Sequence, residues 1–158
     1  RFLAAQVPGC EAGRIVAFAP QIGVRESRRI AGLHMLAEAE LRAGTPFPDR
    51  IAWGAYPIDV HPARGAGLTF DAMGDDHAYA IPLRSLLPRG LDNAIVAGRG
   101  ISATHRAHAA TRVMPTVMAI GQAAGIAAAM ASRGNAAPAA CDVTALQRAL
   151  RDGGALLP

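Results

Sequence analysis

A mixed α/β fold is the class this sequence predicts, and three observations carry the prediction. Residues 94–97 (AIVA) form a brief apolar run ending at Gly98, which reads as a fully buried strand entering a turn. Residues 113–132 follow with helical spacing, apolar nearly all round and dominated by Ala and Gly. Such a helix reads as buried, and a parallel sheet is its natural soluble partner. Strand-like runs also recur earlier in the chain, at residues 14–19 (RIVAFA) and 51–60.

The remaining elements follow in order. Residues 23–30 read as a strand with Val24, Glu26, Arg28 and Ile30 on one face. That alternation would send Arg25 and Arg28 to opposite faces, so they could not serve one site directly. Residues 36–43 read as a short helix closed by Gly44 and Pro46. Residues 51–60 form a strand with Trp53 and Tyr56 as its aromatic members, residues 62–67 are turn-rich, and residues 78–86 should be extended. Pro115 fits the first position of the long helix, where a missing N–H costs nothing. The unpaired amides of that first turn, at the positive end of the helix dipole, would attract negative charge. Residues 143–151 form a terminal helix capped by Asp142 and stopped by Gly153 and Gly154.

Composition bounds the function. At 158 residues and 51% hydrophobic content, the chain can bury one ordinary core. All 16 basic residues are Arg, so Schiff-base chemistry and a Walker-type phosphate lysine are excluded, since both need an amine. The same Arg, Ala, Gly and Pro richness fits a GC-rich, bacterial-type genome. Scattered arginines and 4% aromatics argue against nucleic-acid binding. Cys10 and Cys141 lack CxxC spacing and read as incidental or buried thiols. The five histidines are dispersed, and no metal site is expected. The apolar stretch 113–132 is long enough to span a membrane, but Pro115, Thr116 and Gln122 interrupt it and Ala and Gly replace lipid-facing Leu, Ile and Phe, so no membrane span is expected. No secretory apolar run with a cleavage site stands at the start, a silence that a truncated terminus makes uninformative; the location is left open, with the cytoplasm favoured.

One long block carries a resemblance. NAIVAGRGISATHRAHAATRVMPTVMAIGQAAGIAAA, beginning at Asn93, resembles the C-terminal signature of FAD-dependent oxidoreductases of the two-dinucleotide-binding-domain type, related in architecture to the fumarate reductase and succinate dehydrogenase flavoproteins. IGVRESRRIAG (22–32), AWGAYPIDVH (52–61) and AIPLRSLLP (80–88) resemble segments that precede the signature in the same order. The family opens with a strand, a GxGxxG turn and a helix holding the ADP half of FAD, and that element is missing from this sequence. The resemblance therefore implies the C-terminal part of an FAD-binding, Rossmann-like flavoprotein. Residues 1–78 would belong to a substrate or cap domain and residues 79–158 to the FAD-binding domain. Its partners would be a small organic substrate and the missing N-terminal FAD-binding portion, and surface meant for that portion would favour self-association in isolation.

The resemblance also assigns residues. The helix start at Met114, Pro115 and Thr116 would face the pyrimidine end of the isoalloxazine ring, where reduction places negative charge. Gly98, Arg99 and Ser102 stand where the family contacts the ribitol and pyrophosphate of FAD. Arg99 occupies a place that is often acidic in related flavoproteins, which suits a phosphate contact better than a ribitol hydroxyl. Arg112 would neutralise reduced flavin or hold a substrate carboxylate, with a structural ion pair as the alternative. His105 is the acid–base candidate, because an imidazole exchanges protons near neutral pH; a surface or capping histidine is the alternative. Arg25, Arg28, Tyr56 and His61 lie in blocks that face substrate in the family. A non-catalytic assembly module and a carbohydrate-active lyase or hydrolase are the competing functions, although the latter needs an acid–base pair in a cleft and the scattered Asp and Glu nominate none.

Overall fold

The computed structural model describes residues 2–61, 67, 69–74 and 76–157. Its elements are α1 (Phe2–Gln6), α2 (Glu38–Arg42), β1 (Arg50–Gly54), β2 (Ile58–Val60), β3 (Thr69–Asp71), β4 (Tyr79–Pro82), α3 (His105–Thr111), α4 (Met114–Arg133) and α5 (Val143–Asp152), with short 3-10 turns at Leu83–Ser85, Gly98–Gly100 and Pro138–Ala140. The mixed α/β class holds. The sheets, however, are two antiparallel pairs, β1 with β4 and β2 with β3. The expected parallel sheet is not present among the described residues, where a single isolated bridge, Leu36 to Ala103, is parallel.

The core forms where β1 and β4 lie against α4 and α5. Ile51, Ala52, Tyr79, Ala80 and Ile81 are buried from the ladder, Ile120, Ala123 and Ala127 from α4, and Leu146 and Leu150 from α5. Alanines on the inner face of α4 let its backbone come close to the strand, while each large aliphatic side chain enclosed there contributes about 1.5–3 kcal/mol. The ladder pairs Gly54 with Tyr79, and a bulge between Arg50 and Ala52 shifts its register. A Cβ on Gly54 would clash with the edge of the Tyr79 ring, 2.8 Å from its hydroxyl oxygen. Only glycine leaves room for the ring at the strand end. β1 and β4 stand on either side of residue 78, where the sequence reading divided the chain.

Elements set by local chemistry lie where expected. Gly44, at φ +58°, closes α2. Asp142 caps α5 by accepting from the Ala145 N–H at 3.0 Å, and the Gly153 N–H closes the other end on Ala149 O. α4 begins one residue earlier than expected, at Met114, which puts Pro115 at the second helical position.

Several expectations are corrected, among them the extended run at 78–86, which ends at Pro82 where the 3-10 turn Leu83–Ser85 begins. Residues 14–19 and 23–30 form no strands. Their backbone makes isolated bonds instead of a ladder, such as Ile30 N–H to Gly100 O, and Val16 is 89% exposed. Apolar alternation sets a face, but a strand also needs a neighbour to accept its N–H groups. Residues 94–97 likewise form no strand; Val96 donates to Leu86 O at 2.8 Å, and Gly98, at φ +75°, then turns the chain. The run expected from 51 to 60 breaks into β1 and β2 at Ala55, Tyr56 and Pro57, since Pro57 lacks a ladder donor. Finally, α4 is not buried all round. Thr116, Ile120, Ala123, Ala124, Ala127 and Ala131 face the core, whereas Met114 and Met118 are 79% and 73% exposed. By length and composition alone α4 could cross a membrane. Of the turn expected at 62–67, all but Gly67 lies outside the described residues.

Candidate active site

The site is built around a helix corner. Thr104 caps α3 by accepting from the Ala107 N–H on its side-chain oxygen, and Arg112, the C-cap of α3, stands one residue before the N-cap of α4. The sequence reading missed α3 because seven residues hold too few turns for a helical period to stand out. With the corner in place, Arg112 is held against β2. Its Nη2 donates to Asp59 O at 2.9 Å and lies 3.8 Å from Asp59 Oδ2, with only 9% of the side chain exposed.

Two cavities meet at this arginine. The larger, about 1000 Å³, lies between the β1–β2 connection and the start of α4 and is lined by Trp53, Tyr56, Arg99, Arg112 and residues 113–117, among others. The smaller, about 480 Å³, is lined by Gly23, Arg25, Glu26, Val60, His61, His105, Ala109 and Arg112. Arg25 and Arg112 border both.

The larger cavity is bordered by the start of α4 and by Arg112. Among the described residues no side chain caps the start of α4. Its first internal bond is Val117 N–H to Val113 O, so the Met114 and Thr116 amides are left over as at any helix start. Arg112 Nε and Trp53 Nε1 are buried with no partner among the described residues. Tyr79 joins the β1–β2 connection to α3. Its buried hydroxyl lies 3.1 Å from Tyr56 O and 3.0 Å from Ala110 O, and burial pushes its pKa well above the ordinary phenol value.

One carboxylate borders each cavity, Asp59 the larger and Glu26 the smaller. Asp59 receives the Tyr56 hydroxyl at 3.3 Å on Oδ2, and His61 Nε2 lies 3.3 Å from Oδ1. That second contact has the distance of an ion pair without hydrogen-bond alignment, since Oδ1 is otherwise unsatisfied. Glu26 lies 2.7 Å from His105 Nδ1 and bonds the Arg29 guanidinium. Partial burial raises the Glu26 pKa, but the bonds from His105 and Arg29 and the nearby imidazoles outweigh it, so the carboxyl sits below its usual range.

The residues nominated from sequence are only partly brought together. Arg99, Arg112, Met114, Pro115 and Thr116 line the larger cavity. His105 lines the smaller one, half exposed, where Arg112 also reaches. Gly98 adjoins the larger cavity, since a Cβ there would lie 3.7 Å from Val117 Cγ1. Ser102 lies away from it, buried in a backbone ladder between Ser85 O and the Leu36 N–H. Arg25 and Arg28, expected on opposite faces, border one shallow cavity beside Arg99 because their segment is not a strand. Tyr56 and His61 each line a cavity.

Sequence reasoning missed Glu26, Asp59 and Trp53 as cavity residues. Glu26 meets His105 across 79 positions, and no local signal could have joined them. Among the described residues no three His, Cys, Asp or Glu side chains gather as metal ligands. Cys10 and Cys141 are free. The family model described as FAD dependent oxidoreductase matches residues 1–150, extending past both ends of the resemblance between residues 22 and 129. No curated protein and no solved structure matched.

Proposed function

Because the chain belongs to the FAD-dependent oxidoreductase family, we propose that it forms the C-terminal portion of a flavoenzyme moving a hydride or electron pair between a small organic substrate and FAD. Residues 79–158 then serve the FAD-binding side and residues 1–78 the substrate side. The observation that carries this reading is the uncapped start of α4 at the larger cavity, beside Arg112. An isoalloxazine presents acceptor atoms along its pyrimidine edge, and the first amides of α4 are N–H groups left without protein partners. The residues therefore fit the flavin.

FAD would supply the two-electron chemistry, and the chain's own groups set its conditions. Met114, Pro115 and Thr116 place the positive end of α4 at the rim. A helix terminus stabilises a nearby charge by about 0.3–2 kcal/mol, equivalent to roughly 6–40 mV for a two-electron couple. Arg112, anchored on Asp59, adds a fixed positive charge between the two cavities. Arg99 suits a phosphate contact. His105, in the smaller chamber, exchanges a proton with substrate as the electron pair moves.

The exposed stripe Met114, Met118, Gly121 and Gly125 on α4 suits packing against an N-terminal portion carrying the ADP-binding element, and the same stripe keeps an assembly-only role as the second reading. The test is FAD titration of the protein with and without that N-terminal portion, followed by flavin fluorescence and absorbance. Binding that strengthens with the N-terminal portion and weakens in R112M is the expected result. Association through α4 with no flavin response in either state favours assembly alone and overturns the proposal.

A further inference from the structure

Three side chains around Glu26 constrain one another's protons. His108 is fully buried on α3, and its Nε2 lies 3.0 Å from Arg99 O. A carbonyl only accepts, so Nε2 carries the proton. Burial holds the His108 pKa below its ordinary value, so at neutral pH the ring is uncharged and Nδ1 bears a lone pair. Nδ1 has no bonding partner among the described residues, and it faces Glu26 Oε2 at 3.8 Å. Two acceptors at that distance do not bond. The bonding edge of Glu26 is therefore Oε1, which takes both Arg29 Nη1 and His105 Nδ1.

An ionised carboxylate oxygen accepts, so His105 donates from Nδ1 and keeps its lone pair on Nε2. The chamber around this pair also holds Arg25, His61 and Arg112. We propose that Glu26 is the positioning residue of a Glu26–His105 proton-transfer pair serving the smaller cavity. Oε1 fixes the His105 tautomer and balances the charge of the imidazolium formed when Nε2 takes a substrate proton. The role rests on the reading of His105 as the acid–base of that chamber. Chemically it is the work of a carboxylate behind a catalytic histidine, which orients the ring without itself accepting the proton.

The test reads tautomers directly, by two-bond 15N–1H NMR correlations in the protein labelled with 15N-histidine. In the wild type His105 is expected as the Nδ1–H form and His108 as the Nε2–H form. E26L removes the acceptor, and the His105 tautomer ratio should move by about tenfold or more toward Nε2–H, as expected for losing a charge-assisted bond. E26Q should keep the wild-type form: its amide oxygen can serve His105 and Arg29 while its NH2 meets the His108 Nδ1 lone pair. His77, held on Leu41 O at 2.6 Å, reports whether the fold survives, and E26A takes the place of E26L if it does not. A wild-type His105 in the Nε2–H form, or a ratio that E26L and E26A leave unchanged, overturns the proposal. The readout needs no flavin. A tautomer switch without FAD binding therefore sinks only the flavin reading, and FAD binding without a switch sinks only the role of Glu26.

Discussion

Tyr79 offers the sharpest test of how the β1–β2 connection, one border of the larger cavity, is held against α3. Its hydroxyl stands between Tyr56 O at 3.1 Å and Ala110 O at 3.0 Å, the first on the β1–β2 connection and the second in the last turn of α3. Helix ends leave carbonyls without internal partners, and this phenol serves one of them in a fully buried place. Y79F removes the donor and adds no new volume, so its cost is a buried carbonyl left unmet, about 1–2 kcal/mol. With a urea dependence of about 2 kcal/mol/M, the unfolding midpoint should fall by roughly 0.5–1 M at unchanged slope. FAD affinity should fall as well, since Tyr56 lines the larger cavity and the bridge holds its backbone in place. Equilibrium urea unfolding followed by tryptophan fluorescence is direct, because Trp53 is the single tryptophan and lies on the strand paired with Tyr79. A midpoint displaced by less than roughly 0.2 M would show that water or a neighbouring donor serves those carbonyls, and the bridge would lose its assigned role.

Three further outcomes are expected. D142A should lower stability by about 1 kcal/mol, because it removes the oxygen that meets the Ala145 N–H; thermal unfolding reads it, with D142N retaining most of the wild-type stability because its amide oxygen still accepts. His108 has a folded-state pKa depressed below its ordinary 6.5, so its contribution to stability is complete above that value and is lost as pH falls below it, where the unfolded chain binds the extra proton. Unfolding measured between pH 7.5 and 5 should show this fall, and H108L should flatten it; an equal slope in both proteins contradicts the assignment. M118E places a charge on the exposed stripe of α4 and should reduce self-association in sedimentation velocity with little change in unfolding, since Met118 is 73% exposed.

How much of this was legible beforehand depended on the range of the interaction. The start of α4 was readable from Pro115 to within one residue, α5 from Asp142 and its two closing glycines, and α2 from Gly44, because caps and helix-stopping residues act within a turn of where they stand. The arginine-rich, lysine-free composition excluded amine chemistry by itself. The signature around residues 93–129 pointed to the family whose model matches residues 1–150. Several residues at the start of α4, with Arg99 and Arg112, were named before any geometry was available.

Tertiary structure decided the rest. RIVAFA has a strand's composition and no ladder, because its hydrogen bonds need a neighbour that no local pattern supplies. Residues 51–60 divided at Pro57, and β1 found β4 only through register, with Gly54 leaving room for the Tyr79 ring. α3 was too short to announce itself, yet it brings His105 to Glu26 and Arg112 to Asp59. Local backbone chemistry is written into a few adjacent residues, whereas the pairing of distant side chains is fixed only when packing has closed the loops between them.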